Sequence, residues 1–184
     1  FYWTEGIRGL GWAVDAVPTL KAGSSVGVPS PPAIVLPSGR IVKPDLRDAE
    51  RLQGFAPDWT LPAERAVKRG MRWKLIGNAV NVRAAAWIGS RLAEPGQYNA
   101  HKDARRIEEG SSWPNAAWNV GDGRTAHPAS PYPAAVSAPS LGAFLEFPPE
   151  DLSARATAGF LARTKRASLV FPPGFLRIVE RHLA

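Results

Sequence analysis

Leu46-Arg47-Asp48-Ala49-Glu50-Arg51-Leu52-Gln53-Gly54-Phe55, with Pro57-Asp58-Trp59 behind it, is the stretch that decides how the chain is read. Leu46, Ala49 and Leu52 recur at spacing three and predict one apolar stripe on a short helix. Asp45 stands where a side-chain oxygen accepts from the free amides of a first turn. Asp48 lies where a carboxylate favours the helix dipole. Gly54 supplies a left-handed stop.

Working upstream, Trp12 to Val42 is rich in Gly, Pro, Ser and β-branched residues, which predicts short strands and loops. Ala33-Ile34-Val35-Leu36 and Arg40-Ile41-Val42 flank Pro37-Ser38-Gly39, the pattern of a hairpin. Downstream, Leu61 to Lys74 is a basic linker, with Arg65, Lys68, Arg69, Arg72 and Lys74. A longer, Ala-rich helix is predicted over about Asn81–Leu92, with Val82, Ala85, Ala86 and Ile88 available for burial. From Glu94 to about Ser140 the composition turns to Pro, Gly, Ser and Asn, and predicts an extended segment wrapping a globular surface, anchored by Trp113 and Trp118. Two helices close the chain. One starts at Ser153, with Arg155, Arg163 and Arg166 on a face; the other follows Pro172-Pro173, with Leu176, Val179 and Leu183 on a buried side.

Composition narrows the function classes. The 184 residues are 45% hydrophobic, enough for a core. No apolar run approaches the length of a membrane span. Cysteine is absent, so no disulfide, thiolate metal site or thiol nucleophile comes from these residues. His101, His127 and His182 are isolated and lack metal-ligand spacing, so no metal site is expected. The net charge of +7 is uneven: residues 1–92 carry 13 Lys/Arg against 7 Asp/Glu, and residues 93–184 carry 10 against 9. A basic first half suits a polyanion, or is a solvated surface. The start at Phe1-Tyr2-Trp3-Thr4 reads as the interior of a longer protein or a fragment boundary.

Two blocks, in order, resemble motifs of the bacterial DNA cytosine-5 methyltransferase family. Leu46 to Phe55 with Pro57-Asp58 is similar to the ninth motif, and Gly77-Asn78-Ala79-Val80 to the tenth. Upstream, Ala16-Val17-Pro18-Thr19-Leu20-Lys21-Ala22-Gly23-Ser24 looks like the end of the family's target-recognition region. The resemblance covers about residues 12–92. Some bacterial members look to carry a similar tail with the Trp113-Pro114-Asn115-Ala116-Ala117-Trp118 and Leu152 to Leu161 patterns. The chain departs from the family wording at Asp48 (usually Glu), at Ala56 (an intervening residue) and at Asn81 (often Pro).

The resemblance implies an α/β class, namely the carboxy-terminal portion of an S-adenosylmethionine-dependent methyltransferase fold with part of the small DNA-recognition domain. A Pro-rich and helical extension would follow. Residues 1–60 would end the recognition domain, 61–93 would return to the catalytic domain, and 94–184 would be the extension. The family's thiol nucleophile attacks a cytosine taken out of the stack, and neither its Pro-Cys nor its Phe-x-Gly-x-Gly motif is present. The implied function is therefore a segment or subunit of such an enzyme, needing the amino-terminal catalytic part as partner. The alternative is a non-catalytic DNA-binding or regulatory remnant. S-adenosyl-L-methionine is the implied cofactor, with Gly77, Asn78, Ala79 and Val80 beside it, or else as a plain helix-start turn. Duplex DNA is the implied partner. Thr19, Lys21, Gly23, Ser24 and Ser25 form one candidate contact loop and Arg8, in Arg8-Gly9-Leu10-Gly11-Trp12, lies in a second; both are alternatively ordinary surface turns. Arg47, Arg51 and Gln53 are expected to support the fold rather than touch DNA. A bacterial cytoplasmic, nucleoid-associated location follows from the same resemblance, with no membrane partner.

Overall fold

The computed structural model describes residues 1–3, 9–21, 31–97, 99, 105–119, 121–129 and 137–184. They are of mixed α/β character and fall into two compact units, Phe1–Trp87 with Pro139–Ala184, and Ile88–Ala138.

In the first unit, β1 (Tyr2–Trp3) pairs antiparallel with β2 (Leu10–Gly11). The hairpin expected around Pro37-Ser38-Gly39 forms between β3 (Ile34–Val35) and β4 (Ile41–Lys43). Gly39 sits at φ +83°, and its amide closes the turn on the Leu36 carbonyl at 2.8 Å. β8 (Glu150–Asp151) joins the far edge of β4, with Val42 opposite Asp151 and Lys43 opposite Glu150. Nothing in the β-propensity of Glu-Asp favours a strand there. The pairing is held by Leu152 N–H on the Ile41 carbonyl at 2.9 Å and by the Arg40–Asp151 and Lys43–Glu150 ion pairs, each at 2.7 Å.

Helix α1 (Leu46–Leu52) follows β4 directly. The Asp45 carboxylate accepts from Arg47 N at 2.9 Å as its cap, and Gly54 leaves the helix at φ +85°. A run of 3-10 turns, Leu61–Arg65 and Arg69–Met71, leads into α2 (Arg72–Asn78), then α3 (Val82–Ala93). After a short α4 (Leu141–Phe144), α5 (Ala154–Thr164) is capped by Ser153, whose hydroxyl accepts from Ala156 N at 3.3 Å. α6 (Phe175–Leu183) starts after Gly174 at φ +81°.

Two apolar cores result. Phe1, Ala33, Ile41, Leu152, Phe160 and Val179 join the sheet to α5 and α6; Phe160 lies 4.5 Å from the Phe1 ring, and its burial contributes on the order of 2–3 kcal/mol. Leu46, Ala49, Trp73, Ile76 and Leu20 join α1 to α2. Leu183, expected on the buried side of α6, is exposed because Val179 and the half-buried Leu176 already fill that face. No helix among the described residues is long and apolar enough to cross a membrane.

The second unit contains a three-stranded antiparallel sheet in the order β5 (Arg105–Arg106), β7 (Thr125–Ala126), β6 (Ala117–Trp118). Ile107 and Ala126 are its buried residues. Where an extended segment was expected, residues 105–126 thus fold back on themselves. Trp113 is 68% exposed, with the Arg124 guanidinium 5.3 Å from its ring centre, so within this unit it caps a cation rather than anchoring a core.

Candidate functional site

The two sequence blocks are locked together at the end of α1. The Gln53 carbonyl accepts from Val82 N at 2.8 Å, and the Gln53 side-chain amide donates to the Ile76 carbonyl at 3.0 Å and the Ala79 carbonyl at 3.4 Å. Asn81 completes the junction: its amide donates to the Leu52 carbonyl at 3.1 Å, while its side-chain oxygen accepts from Ala84 N at 3.2 Å. Asn81 is therefore the cap of α3, as its capacity to start a helix suggested. Glycine is needed at position 54, both for its positive φ and because a Cβ there would stand 3.2 Å from Val82 Cβ.

Gly77-Asn78-Ala79-Val80 differs from the expected turn. Gly77 and Asn78 form the last residues of α2, and Ala79, Val80 and the cap Asn81 connect it to α3. The amides at the start of α3 are partly taken, Val82 by the Gln53 carbonyl and Ala84 by Asn81. Exposed groups remain: the Asn78 side chain has no hydrogen-bond partner among the described residues, and Val80 is 68% exposed. Beside Ala79 lies an open cleft of about 280 Å³ walled by Phe55, Trp59, Pro62, Leu75, Ile76 and Ala79, with Thr60 its one polar lining residue. Phe55 and Trp59 stack at 5.5 Å. The whole of α3 is exposed, including Ile88 and Leu92, so the burial expected of Val82, Ala85, Ala86 and Ile88 is not met within the described residues.

Below this surface lies a charged node that sequence reading missed. Arg72, 3% exposed, reaches Glu50 at 3.0 Å, Glu64 at 2.8 Å and Asp58 at 3.4 Å, and its Nε donates to Thr60 Oγ1 at 2.8 Å. Glu50 is fully buried, and its Oε1 also accepts from Thr60 N at 2.8 Å. Burial works against the Arg72 charge, but the hydrogen bonds it donates to Glu64 and Glu50, with the Glu50 charge, outweigh it and raise its pKa above the usual arginine value. Trp73 and Ile76 at spacing three were the available signal for α2.

Arg47, Arg51 and Gln53 all turn inward. Arg47 pairs with Asp45 at 2.8 Å and lies 4.0 Å over the Phe147 ring. Arg51 pairs with Asp48 at 2.5 Å and Glu146, and donates to the Phe144 carbonyl at 2.7 Å. Asp48, expected to serve the helix dipole, is fully buried and accepts from Glu146 N at 3.2 Å and Phe147 N at 3.0 Å, so it stitches residues 144–147 to α1. At Asp45 burial raises the carboxyl pKa, but the hydrogen bonds from the Arg47 side chain and backbone, with the Arg47 and Arg69 charges, outweigh it and hold the group below the ordinary carboxylate range.

Of the expected DNA contacts, Thr19 and Lys21 are exposed on either side of Leu20, which is buried against α1 and α2. Residues 12–18, directly before them, form no strand, although short strands were expected in that stretch; Pro18 supplies no amide for a ladder. Lys21 Nζ lies 5.6 Å from the Tyr2 ring centre. Arg8, Gly23, Ser24 and Ser25 lie outside the described residues, as does His101. His182 Nε2 is 2.7 Å from the Leu152 carbonyl, a structural contact. Among the described residues no three His, Asp or Glu side chains converge as metal ligands.

No protein-family model and no solved structure matches the chain. It is 44% identical over 186 residues to the Type II methyltransferase M2.BsuMI of Bacillus subtilis (strain 168), an alignment that takes in 98% of this chain and 47% of that protein. The chain thus spans about half the length of that relative.

Proposed function

We propose that these residues are the carboxy-terminal part of a bacterial DNA cytosine-5 methyltransferase, which works with an amino-terminal catalytic part. The observation that carries the reading is the Gln53 junction: the two motif-like blocks are joined through their own residues, and in the helix that follows Val82, Ala85, Ile88 and Leu92 are exposed among the described residues. The methyltransferase relative, similar along nearly the whole chain and twice as long, supports it. α3 would dock on the catalytic part, whose parallel sheet and thiol nucleophile would come from outside these residues. The alternative of a non-catalytic remnant has no observation of its own in its favour.

The cleft beside Ala79 fits S-adenosylmethionine in part. Its apolar walls suit a planar or aliphatic portion of that molecule, while Thr60 alone offers polar contact and is already held by Glu50 and Arg72. Ala79 and Val80 would give an apolar wall and Asn78 an amide; the remaining polar contacts would come from the catalytic part. When bound, the cofactor supplies the methyl group. Thr19 and Lys21 would meet duplex DNA, as would Arg8, Gly23, Ser24 and Ser25. The site of action would be the bacterial cytoplasm, on the nucleoid.

The test is methyl transfer from labelled S-adenosylmethionine to carbon 5 of cytosine in duplex DNA. The 184 residues alone should give none, and the same residues co-expressed with the segment carrying Pro-Cys and Phe-x-Gly-x-Gly should give product. Turnover by the purified chain alone, or none by the combined parts, overturns the reading.

A further inference from the structure

Residues 65–93 contain seven cations, Arg65, Lys68, Arg69, Arg72, Lys74, Arg83 and Arg91, and no carboxylate. Glu50, Asp58 and Glu64 gather on Arg72, and Asp45 reaches Arg69, so the carboxylates offset the charge at these two positions. Asp45 pairs with Arg47 and Arg69, Asp48 with Arg51, and Glu50, Asp58 and Glu64 with Arg72, and none of these carboxylates pairs with Arg65, Lys68 or Lys74. Arg65, Lys68 and Lys74 are exposed and have no partner among the described residues, and Arg69 is 57% exposed at 3.4 Å from Asp45. Between Lys68 and Lys74 the buried Arg72 side chain holds Glu64, Thr60, Glu50 and Asp58. Gly70, in the same stretch, meets nothing within 4 Å of the position a Cβ would take. It has no positive φ, so neither packing nor turn geometry calls for glycine there. A bare backbone flanked by exposed cations lets a bulky, uniformly charged polymer come close.

We propose that the surface from Arg65 to Lys74 is a phosphate-backbone contact for duplex DNA, additional to the Thr19–Lys21 segment. This rests on the reading of the chain as part of a DNA methyltransferase. Lysines without orienting partners are point charges rather than fixed forks, so the surface anchors DNA and carries no sequence preference. Neutralised phosphates release condensed counterions, so each contact adds about 0.9 to the slope of log affinity against log salt.

The experiment measures binding of these residues, reassembled with their amino-terminal catalytic part, to duplexes of several sequences between about 50 and 200 mM salt. Arg65→Ala/Lys68→Ala/Lys74→Ala should flatten the slope by about 2.7 units and weaken all sequences alike, Lys68→Ala alone by about 0.9. Lys68→Arg/Lys74→Arg should keep the wild-type slope. A variant with wild-type slope and an unchanged urea midpoint overturns the proposal, as does a loss confined to one sequence. Failure of the wild-type enzyme, reassembled with its amino-terminal catalytic part, to bind any duplex overturns the DNA-methyltransferase reading first and this surface with it, so the two failures are told apart.

Discussion

The Gln53 carbonyl and the Val82 amide meet at 2.8 Å, so the end of α1 and the first turn of α3 share a hydrogen bond across the whole of α2 and its approach. Backbone groups make that bond, which leaves the Gln53 side chain to reach back to Ile76 and Ala79. One residue thus sets where Ala79 and Val80 stand relative to the Phe55–Trp59 cleft.

Gln53→Ala removes the side-chain donors and leaves the backbone bond. The expected loss is about 0.5–1.5 kcal/mol of unfolding free energy, toward the upper end because the Ile76 acceptor sits in a buried environment. Urea denaturation followed by tryptophan fluorescence measures it. A change below about 0.3 kcal/mol would mean that the junction is held by the backbone alone.

Arg72→Met should be severe, about 3–5 kcal/mol, because it strands the buried Glu50 carboxylate. Adding Glu50→Gln to Arg72→Met should recover part of that loss, since the uncompensated charge goes with it. The double-mutant cycle in urea checks this: additive single effects would show that Glu50 and Arg72 are not coupled.

Asp45 carries a pH signature. Its folded pKa is depressed, so its contribution is present above the unfolded carboxylate range and is lost as pH falls through the folded value. Asp45→Asn should therefore lower stability near neutral pH and flatten the stability curve below about pH 4. Thermal melts at stepped pH measure both. A parallel offset at every pH would assign the Asp45 contribution to the hydrogen bond and not to the charge.

Asn78→Ala separates binding from packing. The side chain is exposed and has no partner among the described residues, and alanine is the better helix former, so the melting temperature should not fall. In the enzyme reassembled with its catalytic part, cofactor binding should weaken by about 0.5–1.5 kcal/mol with DNA affinity unchanged. Calorimetric titration reads the first and fluorescence anisotropy the second.

Much of the first unit was legible because its signals are local. Asp45, the Leu46–Ala49–Leu52 stripe, Gly54, the Pro37-Ser38-Gly39 turn and the Ser153 cap each act within a few residues. The α2 helix was not legible in the same way: Gly77 and Asn78 are poor helix formers, and what holds them is Trp73 and Ile76 packing on α1, with Arg72 tied to four residues outside the helix. β8 escaped because Glu150 and Asp151 gain strand geometry only from β4. The 105–126 sheet escaped because two-residue strands show no alternation. For the site, residue types marked the Gly77–Val80 block, but its position in a helix end could be seen only with the Gln53 contacts in place.

The pairing of β4 with β8 has a consequence for how the protein comes into being. The third strand and much of the first core are supplied by residues 139–184, after the chain has made its excursion through Ile88–Ala138. During synthesis β3, β4 and α1 leave the ribosome well before Leu152, Phe160 and Val179 exist to cover Ile41. The nascent chain therefore waits with an uncovered strand edge and an open apolar face, the condition under which chaperones engage and truncated products aggregate.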